Sequence, residues 1–144
     1  MKALLDTSVL VAAFLGDHEN HDASLDLFLR YGKRESCCAA HSLAEVYSTV
    51  TRLPGKHRVS GDQANLMLGE IGQHLTVVAL SDAEYFDAIA RASAAGVVGG
   101  AIYDALIGAC ARKARAETLY TWNIRHFQAP GLSFAKKIQT PRGG

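Results

Sequence analysis

At 144 residues, 49% hydrophobic and 20% charged, the chain has the composition of one soluble globular domain and not of a disordered segment. A formal net charge of +1 excludes a globally basic nucleic-acid binder, so any attraction to phosphate must be local. No apolar run reaches the roughly 18–20 residues of a membrane span, and one lysine followed by an acid at position 6 is the wrong opening for a signal peptide. The three cysteines (Cys37, Cys38, Cys110) are odd in number and lack zinc-ligand spacing, which favours small buried hydrophobes in a reducing cytoplasm over a disulfide framework.

In chain order, Lys2–Leu5 reads as a buried strand that stops at Asp6-Thr7-Ser8 and restarts as a helix through Phe14. Gly16-Asp17-His18 breaks it. A second helix carries Ala23, Leu25, Leu27 and Phe28 and ends near Arg30-Tyr31-Gly32. Glu35–Ala40 is a short run of small and sulfur side chains, a second strand. Ser42-Leu43-Ala44-Glu45 opens a helix that Leu53-Pro54-Gly55 terminates. Ser60-Gly61-Asp62-Gln63 opens another. Leu75–Leu80 is the clearest strand, apolar on both sides, and Ser81-Asp82-Ala83-Glu84 is a capping box for the helix after it. A glycine-containing loop, Gly96–Gly100, precedes a small-residue helix over Ala101–Lys113. Thr118–Thr121 is a further strand, closed by Trp122-Asn123. After a helical turn through Phe127, the Ser133-Phe134-Ala135 region is expected as a last edge strand. Residues 1–140 form one domain, with a loose tail at 141–144. Alternating strands and helices predict an α/β fold with a mainly parallel central sheet of four to five strands, flanked by helices.

In such a sheet, helix N-termini and strand C-termini share one edge, where ligands bind. Asp6 leaves the first strand. Glu45 is expected in the first turn after the second strand, and Asp104 in the first turn of the helix before Thr118–Thr121. Asn123 leaves that strand. Each has a structural use as well: Asp6 as a helix cap, Glu45 as the acidic half of a capping box with Ser42, Asp104 against the helix dipole, Asn123 in a turn. Two like charges ~4 Å apart at an effective dielectric of ~20 repel by about 4 kcal/mol, more than a cap returns. Convergence of Asp6, Glu45 and Asp104 therefore points to a hard divalent cation such as Mg²⁺ or Mn²⁺ and to phosphodiester hydrolysis. Arg52, Lys56, His57 and Arg58 form a basic loop, and Arg125-His126 lies beside Asn123; Arg125 and Arg52 are candidate contacts to nucleic-acid phosphates, where the alternative is a solvated loop. Trp122 is expected in the core.

Leu5-Asp6-Thr7-Ser8-Val9-Leu10, Leu43-Ala44-Glu45-Val46-Tyr47, Tyr103-Asp104-Ala105-Leu106-Ile107 and Leu119-Tyr120-Thr121-Trp122-Asn123-Ile124-Arg125-His126-Phe127 together resemble the PIN domain. The overall pattern is most similar to VapC-type toxins of type II toxin–antitoxin pairs. The resemblance covers nearly the whole chain and implies a three-layer PIN-like fold and a Mg²⁺- or Mn²⁺-dependent endoribonuclease acting on tRNA or rRNA to inhibit translation. It also implies metal binding by Asp6, Glu45 and Asp104, and support of the site by the Ser8 hydroxyl. Asn123 falls where many members carry a fourth acid, and His126 where related sequences often place Asp. A second ion is accordingly expected only with RNA, with Asn123 orienting a water or the scissile phosphate. Expected partners are a VapB-like antitoxin, through which alone DNA is reached, and a second copy of the chain. No membrane partner is expected. The alternatives are a catalytically weak PIN-like RNA-binding module and a phosphatase with Asp6 as nucleophile; the latter is poorly served by Ser8 where Asp-x-Asp is required.

Overall fold

A computed structural model describes residues 1–142. In chain order it contains β1 (Ala3–Leu5), α1 (Thr7–Phe14), α2 (His21–Arg30), β2 (Ser36–Ala39), α3 (Ala40–Thr51), α4 (Gly61–His74), β3 (Thr76–Val78), α5 (Asp82–Ala94), α6 (Ala101–Ala114), β4 (Thr118–Tyr120) and β5 (Lys137–Gln139). Short 3-10 turns follow Pro54 and Asn123. The five strands form one sheet in the order β3-β2-β1-β4-β5, and every pairing is parallel. None of the described helices is long and apolar enough to cross a membrane.

Alternate residues of a strand face opposite sides of a sheet, and here both sides are covered. Ala3, Leu5, Cys38 and Tyr120 join the cluster built with α1 to α4, including Val9, Leu27, Val46 and Ile71. Leu4, Cys37, Ala39 and Leu119 join the opposite cluster, with Ile107 and Ala111 of α6 and with Phe127 and Phe134. Burial on both faces explains why the central strands show no apolar-polar alternation, with only Ser36 and Thr118 polar among their residues. Each fully buried leucine, such as Leu4 or Leu119, contributes roughly 1.5–3 kcal/mol of transfer free energy. Cys37, Cys38 and Cys110 are free and buried; burial pushes the first two thiols up to about 12 and the third to about 11, so all three are protonated and inert at neutral pH.

Three expectations are corrected. The helix expected to open at Ser42 begins at Ala40, directly after β2. Ser42 is fully buried and its Oγ meets Thr7 Oγ1 at 3.0 Å, so it forms no capping box and Glu45 lies in the second turn, not the first. The β-branched run near residue 77 is a three-residue edge strand paired only to β2, with Val77 39% exposed; composition marks a strand but not its place in the sheet. The last strand is Lys137–Gln139, not Ser133–Ala135, because Phe134 is occupied in plugging the surface of α6 at Gly108. At the end of the described chain, Pro141 is buried and the Arg142 guanidinium lies 5.2 Å from the Trp122 ring centroid. The rest of the expected tail, Gly143 and Gly144, lies outside the described residues.

Both serine caps form as their spacing predicts. Ser60 and Gln63 make a reciprocal capping box on α4, and Ser81 and Glu84 make one on α5. Glu84 also accepts from Lys113 Nζ at 2.7 Å, which ties α5 to α6; that hydrogen bond, with the one from the Ser81 backbone, holds the Glu84 carboxyl below its ordinary range. Ser81→Ala removes one end of this arrangement and is expected to cost about 1 kcal/mol. Thermal denaturation reads it as a Tm lowered by about 2–4 °C.

Candidate active site

The chain runs from β1 outward to β2 and β3, then returns across β1 to place β4 and β5 on its other side. The reversal makes the crevice at the carboxyl ends of β1 and β4 a topological switch point, the usual ligand position in an open α/β sheet. Leu5 and Tyr120 are paired there, and the Asp6 amide donates to Tyr120 O at 3.0 Å.

Asp6 is both cap and site residue. It is the N-cap of α1, accepting from the Val9 amide at 3.2 Å through Oδ1. The same oxygen accepts from Ser8 Oγ at 2.6 Å, and Oδ2 accepts from Thr121 Oγ1 at 2.6 Å. Ser8 Oγ in turn accepts from the Trp122 amide at 3.0 Å, and Thr121 Oγ1 from the Asn123 amide at 2.9 Å. Two hydroxyls thus lock the carboxylate to the turn after β4. Asp6 is only 4% exposed, and burial pushes its pKa up to about 6 against those hydrogen bonds, with repulsion from Asp104 adding to the shift.

Glu45 reaches the same crevice from the second turn of α3, where Thr7 donates to its Oε1 at 2.7 Å and His41 Nε2 stands 3.8 Å from Oε2. Asp104 arrives on the first turn of α6. Its carboxyl is also raised, by burial first and by the Glu45 charge, while His126 and His41 oppose the shift; His126 Nδ1 lies 3.5 Å from its Oδ2. Asp6, Ser8, Glu45, Asp104 and Asn123 line one pocket of about 490 Å³, so residues more than a hundred positions apart in sequence share one cavity. Arg125 is exposed on the adjoining 3-10 turn. Arg52 does not line this pocket; it follows the last residue of α3, two turns beyond Glu45. Trp122 is half-buried against the α1–α4 core and donates Nε1–H to Ser24 Oγ at 2.8 Å.

Three positioning residues escaped the sequence reading. Thr121 holds Asp6 only because β4 lies beside β1, and strand order is not written in local pattern. Thr7 adjoins Asp6 and carries a hydroxyl, a signal that was available. His41 is four residues before Glu45, on the same helical face, and stacks on Tyr103 with ring centroids 5.0 Å apart.

The donor set suits a hard cation. Three carboxylates surround the pocket, and two are pushed toward protonation, Asp6 by burial and the Asp104 charge, Asp104 by burial and the Glu45 charge; a cation would relieve both. Among the described residues no three His, Cys, Asp or Glu side chains close on one point. Mg²⁺ needs no such cage, being bound through one or two carboxylates with water completing its shell.

A model of the PIN domain matches residues 3–131, and the chain belongs to that family. Within it, the chain is 39% identical over 116 residues to Ribonuclease VapC40 of Mycobacterium tuberculosis, covering 79% of this chain and 81% of that one. Among solved structures, the fold is similar to that of VapC20 of the same organism, described as a sarcin-ricin loop cleaving toxin (TM-score 0.72, 15% identity, 91% of this chain and 97% of that chain). It is also similar to VapBC2 of Rickettsia felis bound to a promoter DNA fragment (TM-score 0.62, 22% identity, 96% and 97%).

Proposed function

We propose that the chain is the toxin of a type II toxin–antitoxin pair, an endoribonuclease that hydrolyses phosphodiester bonds in tRNA or rRNA and so inhibits translation in the cytoplasm, with Mg²⁺ or Mn²⁺ as cofactor. The observation that carries this reading is the meeting of Asp6, Glu45 and Asp104 in one pocket on a PIN domain; the ribonuclease relative supports the activity. Asp6 and Asp104 would hold the ion, with Glu45 direct or through water. When bound, such an ion supplies Lewis-acid activation of water and charge stabilisation at the phosphate.

The remaining chemistry belongs to the chain. Ser8 and Thr121 fix both oxygens of Asp6, and Thr7 fixes Glu45, so the carboxylates need no reorganisation when substrate arrives. Asn123, exposed at the mouth of the pocket, orients a water or the scissile phosphate. Arg125 contacts a neighbouring phosphate, which positions RNA without reading its sequence. A VapB-like antitoxin covers the acidic rim and brings DNA binding to the complex, in line with the promoter-bound VapBC2 assembly that shares this fold. The toxin acts as a homodimer.

RNA profiling after brief induction tests the reading. Wild type is expected to produce a discrete cut site in tRNA or rRNA, absent with Asp104→Asn. An identical cut in the variant would remove Asp104 from the mechanism. RNA binding without Mn²⁺-stimulated cleavage would leave the weak binding module, for which the exposed amide of Asn123 at the rim speaks.

A further inference from the structure

A second cavity, of about 650 Å³, adjoins the carboxylate pocket, and Asp104 lines both. Its walls come from the Gly96–Gly100 loop, the first turn of α6 and the segment from 125 to 134. Gly96 and Gly100 line it, Gly96 at a positive φ of 80°, so part of the wall is bare backbone that a ligand can approach closely. Val97, Leu132 and buried Phe134 make an apolar lining, while Arg125, His126 and Gln128 supply the polar groups. That combination, apolar walls with a few convergent polar groups in a volume of a few hundred Å³, is the form of a small-ligand site.

We propose that this cavity receives a nucleotide of the RNA strand next to the scissile phosphate, its base lying against Val97 and Leu132 with its edge within reach of the Gln128 amide. The inference rests on the ribonuclease reading above and names a subsite for it. A strand whose phosphate sits between Asp6 and Asp104 carries its next nucleotide past Asp104, where the cavity opens. Arg125 and His126 line this cavity and also the small cleft beside Trp122 and Asn123, so Arg125 borders both and offers its guanidinium to a phosphate of the same strand. His126 Nδ1 is turned to Asp104, which makes the imidazole part of the partition between the two spaces. Single-stranded RNA is read in this manner, by unstacked bases taken into pockets and hydrogen-bonded along their edges.

Ala129 lines the cavity and lies outside the carboxylate site, so Ala129→Trp narrows the subsite and spares the metal ligands. Wild type, Ala129→Trp and Gln128→Ala are compared on a randomised single-stranded RNA pool with Mn²⁺, the new ends being sequenced. Wild type is expected to prefer particular bases at one position flanking the cut. Ala129→Trp flattens that preference and raises KM about tenfold, the scale of one base contact, with kcat within about twofold; Gln128→Ala weakens the preference alone. The Mn²⁺-induced rise in Tm, unchanged in both variants, shows that fold and ion site are intact. An Ala129→Trp enzyme that cuts with the wild-type profile and KM overturns the subsite. So does an unchanged profile accompanied by lost inhibition by a partner protein, which would give the cavity to a protein side chain. A second arm needs no catalysis: nucleoside 5′-monophosphates in EDTA are expected to shift the NMR signals of Val97, Gln128 and Leu132, and silence there overturns the subsite. A wild type that leaves the pool uncut while those signals shift would instead overturn the ribonuclease reading.

Discussion

Asp6→Asn is expected to abolish RNA cleavage and, in the same protein freed of metal, to raise stability at neutral pH. Loss of activity should be at least about 100-fold, since even residues that merely support a metal ligand cost 10–100-fold when removed. The gain in stability follows from burial. The Asp6 carboxyl has a pKa of about 6 in the folded chain against an ordinary 3.8, so the folded state holds its proton more tightly than the unfolded state does. Stability therefore falls as pH rises from about 4 to about 6, and the penalty is complete above that window, on the order of 3 kcal/mol. Asparagine carries no charge to desolvate. Its amide nitrogen faces Thr121 where a carboxylate oxygen now accepts, which gives back about 1 kcal/mol. The net expectation in EDTA at pH 7.5 is a Tm raised by about 4–8 °C, a gain that fades toward pH 4. Adding Mn²⁺ should stabilise wild type and not the variant. Equal Tm values for the two metal-free proteins at pH 7.5 would show that Asp6 is not under this stress. A buried carboxylate that costs the metal-free fold stability is the usual exchange of stability for activity.

Gly108→Ala is expected to destabilise the protein by about 1–3 kcal/mol, the range for overpacking a filled core, although alanine is the better helix former by about 1 kcal/mol. A β-carbon at position 108 would clash with Cγ, Cδ1 and Cδ2 of Phe134, and that ring is buried and set edge-to-face on Phe127 at 6.4 Å, 83°. The clash involves the root of the ring and not a flexible tip, so either the segment before β5 or helix α6 must move. Urea denaturation would show a lowered midpoint with unchanged slope. Phe134→Leu in the same chain should return part of the loss. Phe134→Ala alone should cost about 3–5 kcal/mol by opening a cavity. If Gly108→Ala left the midpoint in place, the packing of this segment on α6 would be refuted.

Features set by short-range forces are legible in the sequence, and those set by long-range packing are not. Capping at Ser60 and Ser81 is local, since a hydroxyl and the amide three residues on are neighbours in any helix, and both caps stand where spacing puts them. The apolar run Ala3-Leu4-Leu5 marks β1 as a buried strand, and it is buried on both faces, whereas the equally apolar run around Val77 became an edge strand. Glu45 shows the limit: Ser42 three residues earlier has the pattern of a capping box, but Ser42 is drawn into the core beside Thr7, and the helix starts two residues sooner. Phe134 shows it again, because an apolar triplet marks burial without saying whether the chain there is extended in a sheet or anchored on a glycine of a distant helix.

What the sequence by itself determined is the element order, the α/β class and the acids of one sheet edge, because strand, turn and helix preferences are set within a few residues and parallel connection returns each helix start to the same rim. What only the tertiary structure decided is the strand order β3-β2-β1-β4-β5 and everything that depends on it. Thr121 meets Asp6 across two strands 115 residues apart, His126 turns its Nδ1 to Asp104, and Asp104 stands as the wall between two cavities. Those contacts arise from how whole elements bury their faces against one another, and no window of sequence contains both partners.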